Sequence, residues 1–511
     1  MREALSEKAV TGKAWLRLRI FPPLSIEHLW AMVTLAGILW AAFATPLRLL
    51  DFWWHLKVGE VIYTTRSIPR TDFFSFTAQG REFIYQNWLS ELVYYLTYKL
   101  GGLPLIIFLN SLAITATFGL VFYLCWEASN NIRKAALCTM LAEALGIRFT
   151  NARPQAFSFP LFMAFYLVLQ RYRRRQGNLL WLLPPLMAFW VNVHGAFVLG
   201  LVLLSIVLCA ELAKRLLWGP HAEVLSFGQI AYLGLILLAT LLATGLNPEG
   251  YGVFAYIRTV QSDPASQNLV TEWQVPSIKH PSDLPFFIAL FLGFIAFIYS
   301  VERPDLTELA FFSVFACLAL SSVRHIIWFA LIMAPILARH IARPRIICKC
   351  RSVIRGGEVG LNYFIAVLLA LITVLVSPWV RPHLPHPRLG YGLVDPKTPV
   401  GAMEFIRREG ISGRIFHPQH YGDYLIWSLY PQQKTFIDGR VHLYGKALCR
   451  DYIRILSACD WERLLAKYRI QFLLLDKNDG GEGRLLQAVR NSNTWEPIYQ
   501  DTLCIMYKKR E

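Results

Sequence analysis

The chain has 511 residues, of which 55% are hydrophobic and only 17% charged. Soluble domains carry roughly a quarter charged residues, so an ordinary soluble enzyme is excluded, and apolar runs of spanning length mark a polytopic membrane protein. The formal charge of +17 suits the basic cytoplasmic loops of such a protein, and nucleic acid is not read as a partner.

The N-terminal tail, residues 1–26, carries Arg2, Lys8, Lys13, Arg17 and Arg19 ahead of the first apolar run. That run is long and lacks a small-x-small cleavage site, so it reads as an uncleaved span. Its basic flank places the N-terminus in the cytoplasm. The apolar runs predict eleven spans, at 27–48, 103–124, 134–150, 155–170, 179–193, 195–213, 228–246, 284–300, 307–321, 325–341 and 361–379. With that count the most basic stretches, "RYRRRQG" (171–177), "KRL" (214–216) and "ARHIARPRIICKCRSVIRGG" (338–357), all face the cytoplasm. Dropping the third span, which holds Glu143, or the fifth, which holds Pro184 and Pro185, turns basic loops outward. An odd count leaves the chain beyond the last span outside. The expected organisation is therefore a membrane domain over 27–380 and an extracytoplasmic domain over 381–511, in the periplasm of a bacterium or the equivalent lumen. Nine cysteines are scattered without a CxxC. Cys348 and Cys350 fall in a cytoplasmic segment, while Cys449, Cys459 and Cys504 fall outside, where one disulfide is compatible and none is demanded.

Polar residues gather at the outer ends of the spans. "LLDFWWHLKVGE" (49–60) puts Asp51, Trp53, Trp54 and His55 at the end of span one. Tryptophan is common at the interface, but an acid so close to hydrocarbon is costly and marks function. The outer loop 51–102 continues with "WWHLKVGEVIYTTR" and "NWLSELVYYLTYKL", whose helical spacing predicts helices lying on the membrane surface. Further along, "RFTNARPQ" supplies Arg148 and Arg153, "WVNVHGAF" supplies Asn192 and His194, "NPEGYG" and "VTEWQVPS" supply Glu249 and Glu272, and "SSVRHIIW" supplies Arg324 and His325. Each has a plainer reading: Arg153 paired with Glu143 or a lipid phosphate, Asn192 as a helix cap, His325 as a packed interfacial residue. Together they set acids, cations and aromatic rings around one face of a helical bundle.

Such a face suits a lipid-phosphate substrate. Arg153 and Arg324 would neutralise the phosphate, which guanidinium groups bind in a bidentate manner. Trp53 and Trp54 would stack on a sugar, with His55, His194 and His325 as further contacts, and Asp51 would act as general base on an acceptor hydroxyl.

The stretches "LLDFWWHLKVGEVIYTTRSIPRTDFFSFT", "RPQAFSFPLF", "WVNVHGAFVLG", "NPEGYG", "TEWQVPS" and "VRHIIWFAL" resemble the GT-C superfamily of membrane glycosyltransferases, which includes the protein mannosyltransferases and the aminoarabinose transferases. The resemblance runs over most of the chain. It implies a polytopic helical fold with a catalytic acid just after span one, where Asp51 stands. It also implies a polyprenyl-phosphate sugar donor, a lipid, glycan or protein acceptor, and inversion at the anomeric centre. Protein mannosyltransferases carry an Asp-Glu pair in this loop, whereas Asp51 is followed by Phe52. Related chains with the tryptophan pair often have a second acid two residues upstream, where Leu49 stands here. No metal ligand is assigned for that reason, and a divalent metal is compatible but not required.

From residue 381, "SPWVRPHLPHPRLG" ends as a proline-rich linker and the remainder alternates helix and strand signals, which predicts a small α/β domain. "VGAMEFIRREG", "GDYLIWSLYP", "DWERLLAKYRI" and "GRLLQAVRNS" read as helices. "GRIFHP", "KTFIDGR" and "QFLLLD" read as strands, and "EPIYQD" with "LCIMYKK" as a closing hairpin. Asp438, Arg440 and His442 either contact an acceptor at a strand end or form an Asp-Gly turn with an internal Asp–Arg pair.

The alternatives to a glycosyltransferase are a lipid-linked glycan polymerase or ligase, which needs the cations but not Asp51, and a non-catalytic transporter or flippase. Transport predicts polar groups at several depths, whereas Glu143 is the clearest mid-span acid.

Overall fold

The computed structural model describes residues 24–221, 224–264, 267, 271–341, 356–384, 392–478 and 483–510. The N-terminal basic residues, and Cys348 and Cys350, lie outside the described residues. A helix occupies every predicted span: α1 (Ile26–Ala44), α3 (Trp88–Ser129), α4 (Ile132–Gly146), α5 (Gln155–Arg173), α6 (Leu183–Trp190), α7 (Val198–Trp218), α8 (Phe227–Ala243), α10 (Leu284–Ile298), α11 (Leu306–Ser321), α12 (Ile326–His340) and α13 (Gly356–Val376). Between them lie α2 (Phe52–Thr65) and α9 (Gly252–Ser262). Five of the helices are long and apolar enough to cross a membrane by length and composition, and four shorter apolar helices accompany them. This is an integral membrane protein.

Two sequence features shape the bundle. Helix α3 is broken at Gly101 and Gly102, where Gly102 has φ 62°, with Pro104 just beyond. A left-handed backbone there suits glycine, and the proline restarts the helix with φ already set. The break divides a surface segment (88–100) from the span that follows. Helix α12 is apolar on every face and accordingly buried along its length, apart from Arg339. It forms the centre of the bundle, packed against α3, α4, α10 and α11. Helix α13 is the converse, apolar but mostly exposed, as a lipid-facing helix is. It is tied to α1 by a Trp40 Nε1–H bond to Thr373 Oγ1 at 2.8 Å.

The C-terminal part contains α14 (Val400–Arg408), α15 (Gln419–Leu429), α16 (Val441–Leu456), α17 (Trp461–Lys467) and α18 (Gly483–Arg490). Its sheet has the order β1-β2-β4-β3, built from β1 (Ile415–Phe416), β2 (Phe472–Asp476), β3 (Trp495–Gln500) and β4 (Cys504–Lys509). Strands β1 and β2 are parallel, and β4 runs antiparallel to both β2 and β3. Cys449, Cys459 and Cys504 are free thiols.

One predicted strand is absent. "KTFIDGR" pairs instead with the loop after α2: Thr435 N–H donates to Phe74 O at 3.0 Å, and Phe76 N–H donates to Thr435 O at 3.1 Å. The chain then enters α16, a helix the sequence reading did not assign. Nor do the two surface helices meet only a membrane plane. Eight residues of α2, including Phe52, Trp53, Trp54 and His55, are buried, between α3 on one side and α15 on the other. A Cβ on Gly59 would lie 2.1 Å from the Glu91 carbonyl oxygen, so the two backbones touch there, and only glycine permits it.

The C-terminal domain is locked onto the bundle by a buried charge cluster. Arg440 holds Asp438 through Nε (2.9 Å) and Nη2 (2.7 Å), while its Nη1 lies 2.7 Å from Asp72 in the loop after α2. All three side chains are fully buried. The guanidinium also lies 5.2 Å from the Phe74 and Phe83 rings and 5.7 Å from Trp54. Asp72 in turn accepts the Ser75 hydroxyl at 2.6 Å and the Phe74 and Ser75 amides at 3.2 Å, so a single carboxylate organises its own turn and docks the domain. Removing one member of a buried pair leaves an uncompensated charge. Asp72→Ala is therefore expected to cost about 3–5 kcal/mol, read as a lowered unfolding temperature in detergent together with protease cleavage in the 66–86 loop.

Candidate active site

Asp51 stands at the N-terminal end of α2, where an aspartate ordinarily caps its own helix. Here the side chain makes no capping bond. It turns instead to Arg153, whose Nε donates to Asp51 Oδ1 at 3.0 Å. The same guanidinium donates through Nη1 to both oxygens of Glu272, at 2.9 and 3.0 Å. Arg153 is largely buried, while Asp51 and Glu272 keep 33% and 26% of their side-chain surface. The carboxylates therefore face open space from a fixed cation. The backbone of Arg153 is itself held, its carbonyl accepting the Tyr94 hydroxyl at 2.9 Å.

Glu272 and Trp273 share one 3-10 turn, Thr271–Trp273. Glu272 grips Arg153, and the Trp273 ring lies 4.0 Å from the Arg324 guanidinium. The turn is pinned by the Ser322 hydroxyl donating to Glu272 O at 2.9 Å and by Val323 N–H donating to Gln274 O at 2.9 Å. Two consecutive side chains thus set the spacing of two arginines. Among the described residues Arg324 has no carboxylate partner, in contrast to Arg153.

Arg324 opens onto a cavity of about 560 Å³. Its polar wall includes Gln86, Gln155, His194 and His325, with Tyr256 and Trp273 beside them. Its other wall is apolar, formed by Val198, Leu199 and Val202 of α7 with Leu318 and Trp328. Burial pushes His194 down to about 3, with Arg324 adding to the effect. The imidazole is therefore neutral, and its Nδ1 accepts the Ala196 amide at 3.2 Å. His325 hydrogen-bonds Leu318 O through Nδ1 at 3.1 Å. Both histidines line the cavity as fixed neutral groups.

The remaining predicted residues turn inward. Trp53 is 1% exposed, donates to Arg48 O at 3.0 Å and packs edge-on against Tyr424. Trp54 lies against the His55 ring at 3.6 Å and is buried among Phe83 and Arg440. No face of Trp53 is left for a sugar, because α15 of the C-terminal domain covers it. His55 points away from the cavity to Glu91, with Nδ1 2.7 Å from Glu91 Oε1. Asp438 and Arg440 form the internal pair described above. His442 stacks on Phe83 and reaches Tyr256 at 3.4 Å, so the trio supports the fold rather than an acceptor. Asn192 accepts from Trp88 Nε1 and donates to Ala188 O, joining helix ends. Glu143 is not a partner of Arg153.

Among the described residues no three His, Cys, Asp or Glu side chains come together to hold a metal ion, and the two site carboxylates are already bridged by Arg153. A second cavity, about 490 Å³, lies among Arg173, Arg174, Glu211, Lys214, Asp305 and Arg339 at the other ends of α5 and α7. Its charges largely pair with one another, as in Arg173–Glu211 at 2.9 Å and Lys214–Asp305 at 3.2 Å. They cross-link helices.

No protein-family model and no curated protein sequence matches the chain. Solved structures do. The oligosaccharyltransferase AglB of Archaeoglobus fulgidus, in complex with an inhibitory peptide and a dolichol-phosphate, aligns with a TM-score of 0.54 at 12% identity, over 95% of this chain and 74% of its own. The apo form of the oligosaccharyltransferase from that organism gives 0.52 at 13% identity, over 98% and 75%. Apo ArnT of Cupriavidus metallidurans gives 0.51 at 13% identity, over 94% of this chain and 98% of its own. The chain shares the fold of these solved membrane proteins, AglB and ArnT.

Among the described residues Arg324 lines the cavity with no carboxylate partner, beside an apolar wall. Arg324→Ala is expected to weaken binding of a short-chain polyprenyl phosphate by about ten- to a hundredfold, the loss of a charge-assisted contact. Titration of purified protein checks this, with Arg408→Ala, on the exposed surface of the C-terminal domain, as the unaffected control.

Proposed function

We propose that the protein is a glycosyltransferase that moves a sugar from a polyprenyl-phosphate donor to an acceptor hydroxyl, at the membrane face bearing the C-terminal domain. That face is extracytoplasmic by the distribution of basic residues, in a bacterial inner membrane. The observation that carries this reading is the juxtaposition of Asp51, bridged through Arg153 to Glu272, with Arg324 in the polar wall of a half-apolar cavity. The fold supports it, and AglB, which shares that fold, is described in complex with a dolichol-phosphate.

In this reading the donor's phosphate meets Arg324 at the polar end of the cavity, and its polyprenyl chain lies along Val198, Leu199, Val202 and Leu318. The arriving phosphate competes for Arg153, whose guanidinium leaves Asp51 for the new anion. Asp51 is then an uncompensated carboxylate beside the anomeric carbon. It takes the proton of the acceptor hydroxyl as the acceptor oxygen bonds to that carbon. The bond from carbon to phosphate oxygen breaks on the opposite side, which inverts the centre. The leaving phosphate gains negative charge, and Arg153 with Arg324 stabilises it more strongly than it did the donor, which is the requirement for catalysis.

The transport reading predicts polar groups along the bundle, whereas the two charged regions are separated by the apolar length of α12. A polymerase or ligase that relies on the cations alone is separated from the present reading by Asp51. With a panel of labelled polyprenyl-phosphate sugars and a matching acceptor, Asp51→Asn is expected to lower transfer at least about a hundredfold while donor binding persists. Transfer at the wild-type rate in this variant would remove Asp51 from the mechanism and favour the ligase reading.

A further inference from the structure

Behind Asp51 lies a buried pair that the proposed chemistry does not use. Glu91, in the surface segment of α3, is 0% exposed, and its Oε1 lies 2.7 Å from His55 Nδ1. The other face of the imidazole is turned to Asp51, with Nε2 4.0 Å from Asp51 Oδ2. This alignment is built into the backbone. Asp51 and His55 are one helical turn apart on α2, and the glycine contact at Gly59 lets Glu91 approach the next turn.

The pair holds either one exchangeable proton or two. With one, Glu91 is a carboxylate, Nδ1–H donates to it, and a lone pair on Nε2 faces Asp51. With two, one proton lies between Glu91 and Nδ1, and Nε2–H faces Asp51. Three observations select the second state. Glu91 Oε2 has no hydrogen-bond partner among the described residues, and an orphan oxygen costs far less on a neutral acid than on a buried carboxylate. The guanidinium within electrostatic range, Arg440, is already committed to Asp438 and Asp72. Finally, Asp51 is an anion whose neighbour at 4.0 Å is better a donor than a lone pair. Burial also holds the imidazole below its ordinary range despite the contact with Glu91, which leaves the shared proton on the carboxyl side.

We infer that Glu91 is a carboxylic acid that donates to His55 Nδ1, and that the pair thereby presents Nε2–H to Asp51 as the donor that takes over when Arg153 moves to the phosphate. His55 and Glu91 are positioning residues: they keep the Asp51 carboxylate aimed at the acceptor during the interval in which its cation is gone. The inference rests on the role given to Asp51 above.

The test is rescue by an isostere. Glutamine at 91 keeps a donor to Nδ1 and a neutral oxygen where Oε2 stands, whereas alanine removes the donor and frees the ring. Glu91→Ala and His55→Ala are expected to lower kcat by about ten- to a hundredfold with little change in donor KM, and Glu91→Gln to restore kcat to within about threefold of wild type. In infrared spectra at neutral pH, wild-type protein should show a carboxylic-acid carbonyl band that Glu91→Gln lacks. A Glu91→Gln protein as impaired as Glu91→Ala, or unable to fold, or a wild-type spectrum without that band, overturns the inference by making the carboxylate the required form. None of these outcomes bears on the Asp51→Asn result, so failure here is distinguishable from failure of the glycosyl-transfer reading.

Discussion

The arrangement of this protein's charged face depends on one guanidinium shared by two carboxylates. Arg153 comes from the turn before α5, Asp51 from the start of α2 and Glu272 from the 3-10 turn before α10. These segments are far apart in the chain, and the bridge among them fixes where the open sides of both acids point. The cluster carries one more negative charge than positive, and Arg324, held over Trp273, balances it nearby without closing a pair of its own. Partly buried ion pairs lose much of their Coulomb energy to desolvation. A cation held this way is ordered yet able to exchange one anionic partner for another, as the proposed exchange of a carboxylate for a phosphate requires.

The soluble domain belongs to the same construction. Through Arg440 it grips the turn made by Asp72, and through Tyr424 on α15 it covers Trp53 on α2. Helix α2 is therefore clamped between α3, at the contact of Gly59 with Glu91, and the C-terminal domain. Asp51 sits at the first turn of that clamped helix, so its direction is set by packing rather than by a flexible loop. The domain supplies no group to the cavity through Asp438 or Arg440; it supplies rigidity.

Much of this was legible in the sequence. The apolar runs located a helix at each predicted span, whereas the break of α3 at Gly101 and Gly102, with Pro104 just beyond, was not singled out. Asp51 stood out because an acid near hydrocarbon is costly, and Arg153 and Arg324 as guanidinium groups on the same polar face; the structure sets Arg153 on Asp51 and Arg324 beside Trp273. The inward residues were not legible for a physical reason. A helix with apolar and aromatic residues on one face reads alike whether that face meets lipid or a second domain, so nothing distinguished Trp53 and Trp54 as core from tryptophans at an interface. His55 required knowledge of Glu91, whose approach depends on one glycine contact. Glu272 and Trp273 were visible as polar and aromatic residues on one loop, but their division of labour between two arginines is purely tertiary. The segment "KTFIDGR" had strand composition and found a strand-like partner, in the distant loop at Phe74 rather than in its own sheet.

In the proposed mechanism Arg153 trades Asp51 for the donor's phosphate. A cryo-electron microscopy structure of the purified protein with a polyprenyl phosphate bound tests it most directly. The phosphate is expected between Arg324 and Arg153, the lipid along Leu199 and Val202, and the Arg153–Asp51 contact broken. A phosphate bound elsewhere, or one bound at Arg324 with Arg153 still on Asp51, would contradict it.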